Sequence, residues 1–169
     1  MMKNVLAEAH VPESTFGKWF LRSNTWTDYV LEVALEDLER LLNNEQQHYS
    51  VIADVGCGYG RSLNKLNERF HPEKLIAMDI DQEMLDATKN EVKKNQLNNV
   101  EYIRCSSSMV ELADNSVDML LCHQTFHHLI YQVEAINEFF RILKPGGVLL
   151  FAESTKRYIH SWIIKLLFR

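Results

Sequence analysis

A chain of 169 residues with 46% hydrophobic side chains suits one compact domain with a buried core. Its net charge of −5 and pI near 5.8 argue against a broad phosphate-binding surface. No stretch approaches the roughly 18 apolar residues of a membrane span, and Met1–Leu6 carries no apolar run of signal-peptide length.

Residues 1–48 read as an N-terminal helical extension or lid. Phe16, Trp19, Phe20 and Trp26 form an aromatic stretch, and Thr25-x-x-Asp28 has the form of a capping box with Asp in place of Glu. Behind it Leu31, Leu35, Leu38 and Leu42 share one helical face. The segment either packs as an extra helix on the core or folds its aromatic stretch over a ligand. Asn43–His48 is a polar connector.

The apolar run Val51, Ile52, Ala53, Val55 reads as a buried strand, followed by glycines at 56, 58 and 60. Ser62, Leu63, Leu66 and Phe70 then mark a helix whose N-terminus faces the loop. This is the pattern of a ligand cradle. Its glycine spacing differs from the G-x-G-x-x-G of dinucleotide sites, and Arg61-Ser62 replaces the Lys-Ser/Thr ending of a P-loop. A second run, Leu75–Met78, ends in Asp79, a carboxylate suited to a ribose diol. Asp81 is a natural N-cap for a helix through Met84, Leu85, Thr88 and Val92.

The third strand, Val100–Arg104, ends in Cys105-Ser106-Ser107, and a turn at Asp114-Asn115 leads to the fourth, Met119–Cys122. His123, His127 and His128 follow with Cys122. Imidazole and thiolate are zinc ligands, but the spacing matches no standard site, so no metal is expected. Val133, Ile136, Phe140 and Leu143 form a helical stripe, with Phe139 beside it, read as core packing. Lys144-Pro145-Gly146-Gly147 ends that helix before the fifth strand, Val148–Glu153. Five strands alternating with helices predict an α/β fold: a doubly wound, mostly parallel sheet with helices on both faces. The cysteines Cys57, Cys105 and Cys122 stand far apart, which fits reduced thiols and a cytoplasmic location.

Asp54-Val-Gly-Cys-Gly-Tyr-Gly60 resembles motif I of the class I (Rossmann-like) S-adenosylmethionine-dependent methyltransferases, and Leu143-Lys-Pro-Gly-Gly147 resembles another of their signatures. The resemblance covers residues 50–153 and implies S-adenosyl-L-methionine as cofactor. It puts Asp54 near the methionine end, Gly56, Cys57, Gly58 and Gly60 alongside the cofactor, Asp79 on the ribose hydroxyls and Ile80 against the adenine. Relatives often carry an Asp that meets the adenine amino group where this chain has Cys105-Ser106-Ser107, so Ser106 and Ser107 inherit that position without its charge. Cys122 and His123 end the strand that runs to the substrate and join the expected cofactor-binding residues, with His123 and Gln124 facing the sulfonium or the acceptor. His123 and His127 are the candidates for a catalytic base, while His128 matches a histidine whose role is often structural.

The implied function is methyl transfer to a small-molecule acceptor, which the acidic balance favours over nucleic acid. The alternatives are S-adenosylmethionine binding without turnover, or a nicotinamide-dependent oxidoreductase that shares the glycine loop and Asp79. A full class I domain adds a helix and two more strands after the fifth. Residues 49–169 are therefore expected to be an S-adenosylmethionine-binding domain incomplete at its C-terminus. The fifth strand's apolar edge would then be covered by the rest of a longer protein or by a second copy in a homodimer. An interfacial membrane helix around Trp162–Leu167 ranks lower.

Overall fold

The apolar runs become five strands: β1 (Val51–Val55), β2 (Lys74–Asp79), β3 (Val100–Arg104), β4 (Val117–His123) and β5 (Leu143–Ala152). They pair in parallel in the order β3-β2-β1-β4-β5. The computed structural model describes residues 14–42 and 48–154. The expected tail helix and the connector at 43–47 lie outside the described residues.

The chain moves outward from β1 to β3, then returns to the other side of β1 as β4. Connections therefore leave β1 and β4 in opposite directions, which opens a crevice at their carboxyl ends. Both faces of the sheet are covered, so β1 and β4 read as continuous apolar runs rather than alternating ones. On one face Ile52, Met119 and Leu121 pack with Leu31, Leu35, Leu63, Leu66 and Leu85. On the other, Ala53, Val55, Leu120 and Cys122 pack with Phe139 and Ile142.

The helices packed on the first face are α2 (24–41), α3 (Arg61–Phe70) and α4 (Gln82–Lys94), and α1 (Thr15–Leu21) precedes them in the chain. Helix α2 starts at Asn24–Trp26, widens into a π-helical turn over Thr27–Leu31 and continues as Glu32–Leu41. Helix α5 (Gln132–Ile142) covers the second face. Asp81 caps α4 as expected, accepting from the Glu83 N–H at 2.8 Å.

Three expectations are corrected. The N-cap of α2 is Ser23, whose hydroxyl accepts from the Trp26 N–H at 3.1 Å; Thr25 lies inside the helix. Ser23 stands three residues before that N–H, which is the reach a capping hydroxyl needs. On α5 the buried stripe is Ala135, Phe139 and Ile142, so Val133 (72% exposed) and Phe140 (71% exposed) point to solvent. A turn of about 100° per residue separates the two stripes. Finally, α5 ends at Ile142 and β5 begins at once at Leu143, with the Lys-Pro-Gly-Gly segment absorbed as an irregularity between the pairs Val117↔Leu143 and Met119↔Val148.

Candidate functional site

β1 and β4 run side by side with Val55 opposite Cys122, and both release the chain at the same end of the sheet. At Gly56 the backbone takes a φ of +69°. A Cβ there would stand 2.3 Å from Thr125 Cγ2 and 2.4 Å from Thr125 Oγ1, so glycine both permits the turn and lets the β4 end come close. The Gly56 and Cys57 N–H groups donate to the Met78 carbonyl at 2.8 and 3.0 Å. Asp79 accepts from the Gly58 N–H through one oxygen and from the Asp81 N–H through the other, both at 2.9 Å. Thr88 donates its hydroxyl to the Gly58 carbonyl at 2.8 Å. Strand and helix together fix the loop backbone.

Beneath the loop, Asp54 is 3% exposed and accepts a hydrogen bond from the Ser62 hydroxyl at the start of α3. Burial pushes its carboxyl up to about 7; the Ser62 bond opposes that rise and the Asp79 charge adds to it. Burial also pushes the Cys57 thiol well up, with Asp54 and Asp79 adding to it, so this cysteine is a packed thiol and not a nucleophile.

At the end of β4, His123 shares the strand face of Met119 and Leu121 by simple alternation. Its ring centroid lies 5.6 Å from that of Trp26. His123 is 9% exposed, and its Nε2 has no hydrogen-bond partner among the described residues. Burial holds the imidazole down at about 4 against a smaller upward pull from Glu153, so it is neutral near pH 7. The turn beyond is organised by Glu153, which accepts from the Thr125 and Phe126 N–H groups at 2.8 and 2.6 Å and contacts His127 Nδ1 at 2.6 Å.

These parts enclose a cleft. Asp54, Gly56, Cys57, Gly58 and Tyr59 line it from the loop side, His123, Gln124 and Thr125 from the β4 side, and Leu21 and Trp26 from the N-terminal segment. That segment is tied to the loop: Arg61 Nη2 donates to the Arg22 carbonyl at 3.2 Å, and the Arg22 guanidinium lies 4.8 Å from the Tyr59 ring centroid.

A family model described as a methyltransferase domain matches residues 53–151, which spans the glycine loop, all of β2–β4 and most of β5. The chain belongs to the class I S-adenosylmethionine-dependent methyltransferases. An uncharacterised methyltransferase-like protein of Schizosaccharomyces pombe is 35% identical over 69% of this chain and 43% of its own length. A malonyl-[acyl-carrier protein] O-methyltransferase of a Marinomonas species is 29% identical over 72% of this chain and 43% of its own. A demethylmenaquinone methyltransferase of Listeria welshimeri is 27% identical over 83% and 60%. The chain thus spans about half the length of these curated relatives. Among solved structures, a SAM-dependent methyltransferase from Aquifex aeolicus superposes with a TM-score of 0.66 at 24% identity, covering 89% of this chain and 82% of that one. The cyclase SpnF superposes with a TM-score of 0.64 at 19% identity, over 88% and 53%.

Of the residues the sequence marked for this methyltransferase site, Asp54, Gly56, Cys57, Gly58 and His123 line the cleft. Gly60 lies behind it, where a Cβ would meet Thr88 Cγ2 at 2.8 Å. Asp79, Ile80, Ser106 and Ser107 stand at and beyond the ends of β2 and β3, beside the cleft and outside its lining. The Ser106 hydroxyl is 2.9 Å from that of Ser108. Strand alternation turns Cys122 to the opposite face, where it is fully buried with Val55 and Phe139; its side chain belongs to the core and not to the cleft. His127 is exposed and engaged with Glu153 and the His128 ring, whose centroid is 4.0 Å away, so it does not face the cleft either. Leu21 and Trp26 line the cleft from the segment read as an extension or lid, whereas Tyr59 and Thr125 carry no role in the sequence reading. Trp26 stood in the aromatic stretch already noted, whereas Thr125 contacts Gly56 across 69 positions and carries no local signal.

Proposed function

We propose that this chain binds S-adenosyl-L-methionine along the carboxyl ends of β2, β1 and β4 and serves methyl transfer to a small-molecule acceptor. The observation that carries the reading is the glycine loop, clamped by Asp79 at Gly58 and facing an open cleft at the β1–β4 crevice. The bound cofactor would supply an electrophilic methyl on a good leaving group. The residues fit it: Asp79 ends β2, where a ribose diol would lie, and the loop exposes backbone beside the cleft. Asp54 sits at the methionine end as a carboxylate whose charge a nearby ammonium would favour. Ser106 and Ser107 are the proposed neighbours of the adenine, Ile80 packs on it, and Leu21 with Trp26 forms a lid. The protein's task is then alignment in a dry pocket, worth several kcal/mol.

A small acceptor is supported by the names of two relatives, which act on malonyl-[acyl-carrier protein] and demethylmenaquinone. The three buried thiols, unpaired with one another, support a reducing compartment such as the cytoplasm. No helix among the described residues is long and apolar enough to cross a membrane. A second copy against β5 is the proposed cover for that edge, supported by exposed Phe140 and Phe151 beside it; a monomeric mass in solution would remove it.

Binding without turnover is the second reading, since a fold by itself does not fix a reaction. Release of S-adenosylhomocysteine across a panel of hydroxyl, amine, carboxyl and quinol acceptors separates the two. Conversion with one class supports transfer. Tight binding of the cofactor with no conversion on any of them supports the second reading.

A further inference from the structure

Among the described residues, four buried side-chain polar atoms make no hydrogen bond: Glu32 Oε2, Arg69 Nε, Tyr59 Oη and His123 Nε2. The first two are in ion pairs, with Lys65 Nζ at 3.2 Å and Glu39 Oε2 at 3.4 Å. That leaves Tyr59 Oη and His123 Nε2, and both residues line the same cleft. A buried polar atom without a partner costs about 1–3 kcal/mol, so two of them in one cleft mark places that a ligand satisfies.

They enter it from different elements. Tyr59 belongs to the glycine loop, beside Arg22 and Arg61. His123 ends β4, one strand further from Asp79 than the loop is. A cofactor with its ribose at Asp79 and its amino-acid portion along the loop has its reactive end toward β4. We infer that His123 Nε2 faces the point of methyl transfer and accepts a hydrogen bond from the acceptor's own O–H or N–H, which makes the acceptor a protic nucleophile, a hydroxyl or an uncharged amine. The inference rests on the cofactor placement proposed above.

The chemistry of the position fits that role. A cationic side chain here would repel a sulfonium, whereas an imidazole kept neutral by burial does not. Trp26 packs on the ring and the strand fixes its backbone, so Nε2 is held in place by contacts that consume none of its hydrogen-bonding capacity. With its proton on Nδ1 the neutral ring offers Nε2 as an acceptor, and His123 is in this sense a positioning residue.

The test needs no identified acceptor. Sinefungin carries an amine-bearing carbon where S-adenosylmethionine carries its methylated sulfur, so the amine occupies the transfer point; S-adenosylhomocysteine has nothing there. Calorimetry with both ligands gives the ratio of their affinities for the wild-type chain, for His123→Phe and for His123→Gln, and Tyr59→Phe is the control. The expected result is that His123→Phe lowers the preference for sinefungin about tenfold, the scale of one lost hydrogen bond to a charged group. His123→Gln should restore part of it, and Tyr59→Phe should weaken both ligands alike. An unchanged ratio in His123→Phe overturns the inference while leaving the cofactor site standing. Failure of both ligands to bind the wild-type chain overturns the cofactor reading and this inference with it. Should His123→Phe not fold, the imidazole nitrogen resonances of the wild-type chain decide: Nε2 must move on adding sinefungin and stay with S-adenosylhomocysteine, and equal behaviour with both counts against.

Discussion

The two sides of the candidate site are built on different principles. At the β1 and β2 ends, Asp54 and Asp79 are held by hydrogen bonds, the first from Ser62 and the second from two backbone N–H groups. At the β4 end, the His123 ring packs against Trp26, and its Nε2 has no hydrogen-bond partner among the described residues. The carboxylates therefore come preorganised, and part of their capacity is already used in shaping the loop. The histidine keeps its capacity for something else. A site that binds one fixed cofactor and one acceptor gains from that division, because loop geometry must be the same for every turnover while the acceptor end must be filled each time.

The loop end is the easier to break. Gly56→Ala combines a positive φ with a Cβ placed 2.3–2.9 Å from three side-chain atoms of Thr125. Thr125 is β-branched and its Cβ is one of the three, so no rotamer clears the clash. Strain and overpacking together should cost about 2–5 kcal/mol, read as a lower denaturant midpoint. Gly58→Ala is the contrast: φ is +53°, and the nearest atom to a new Cβ is 4.0 Å away. It should cost only about 1–2 kcal/mol. Equal losses would mean that the approach of β4 to the loop is not what Gly56 serves.

Asp79→Ala removes both clamps on the loop and the proposed ribose contact. Affinity for S-adenosylmethionine should fall by about 1–3 kcal/mol in a calorimetric titration. Wild-type affinity in that variant would remove Asp79 from the cofactor site.

Glu153 is the matching support at the β4 end. Burial raises its carboxyl, but the bonds from His127, Phe126 and Thr125 outweigh it and hold the group below its ordinary value. A folded pKa below the unfolded one stabilises at pH above the unfolded value, near 4.5, and that contribution disappears as pH falls through the folded value. Glu153→Gln should therefore destabilise at neutral pH by about 1 kcal/mol and match the wild type in acid. A deficit that persists in acid would contradict the role of the charge.

Asp54 has the opposite sign. Its carboxyl rises from 3.8 to about 7 on folding, so the native chain holds a proton that the unfolded chain releases, and stability falls as pH rises through that window. Asp54→Asn should gain on the wild type in denaturant midpoint as pH rises from about 4 to about 7. Parallel curves would show that the carboxyl is not the group titrating.

Much of this was legible in the chain. The parallel sheet followed from buried apolar runs, and the loop followed from glycine spacing next to a strand. What failed was periodicity where two faces compete. Val133 and Phe140 are apolar yet point outward, because α5 offers a second stripe, Ala135–Phe139–Ile142, that fits the sheet. Cys122 stands at the strand end in sequence, but alternation places its side chain on the far face. Thr125 reaches the loop through a contact 69 positions away in sequence, and only the fold brings it there. Thr25-x-x-Asp28 mimics a capping box two residues after the actual cap, Ser23.

The central claim is that the cleft between β1 and β4 is an S-adenosylmethionine site. Isothermal titration of the chain with S-adenosylmethionine and, separately, with NAD tests it most directly. The account predicts saturable binding of one S-adenosylmethionine per chain, weakened in Asp79→Ala, and no heat from NAD. Binding of NAD in the absence of any S-adenosylmethionine binding would contradict it.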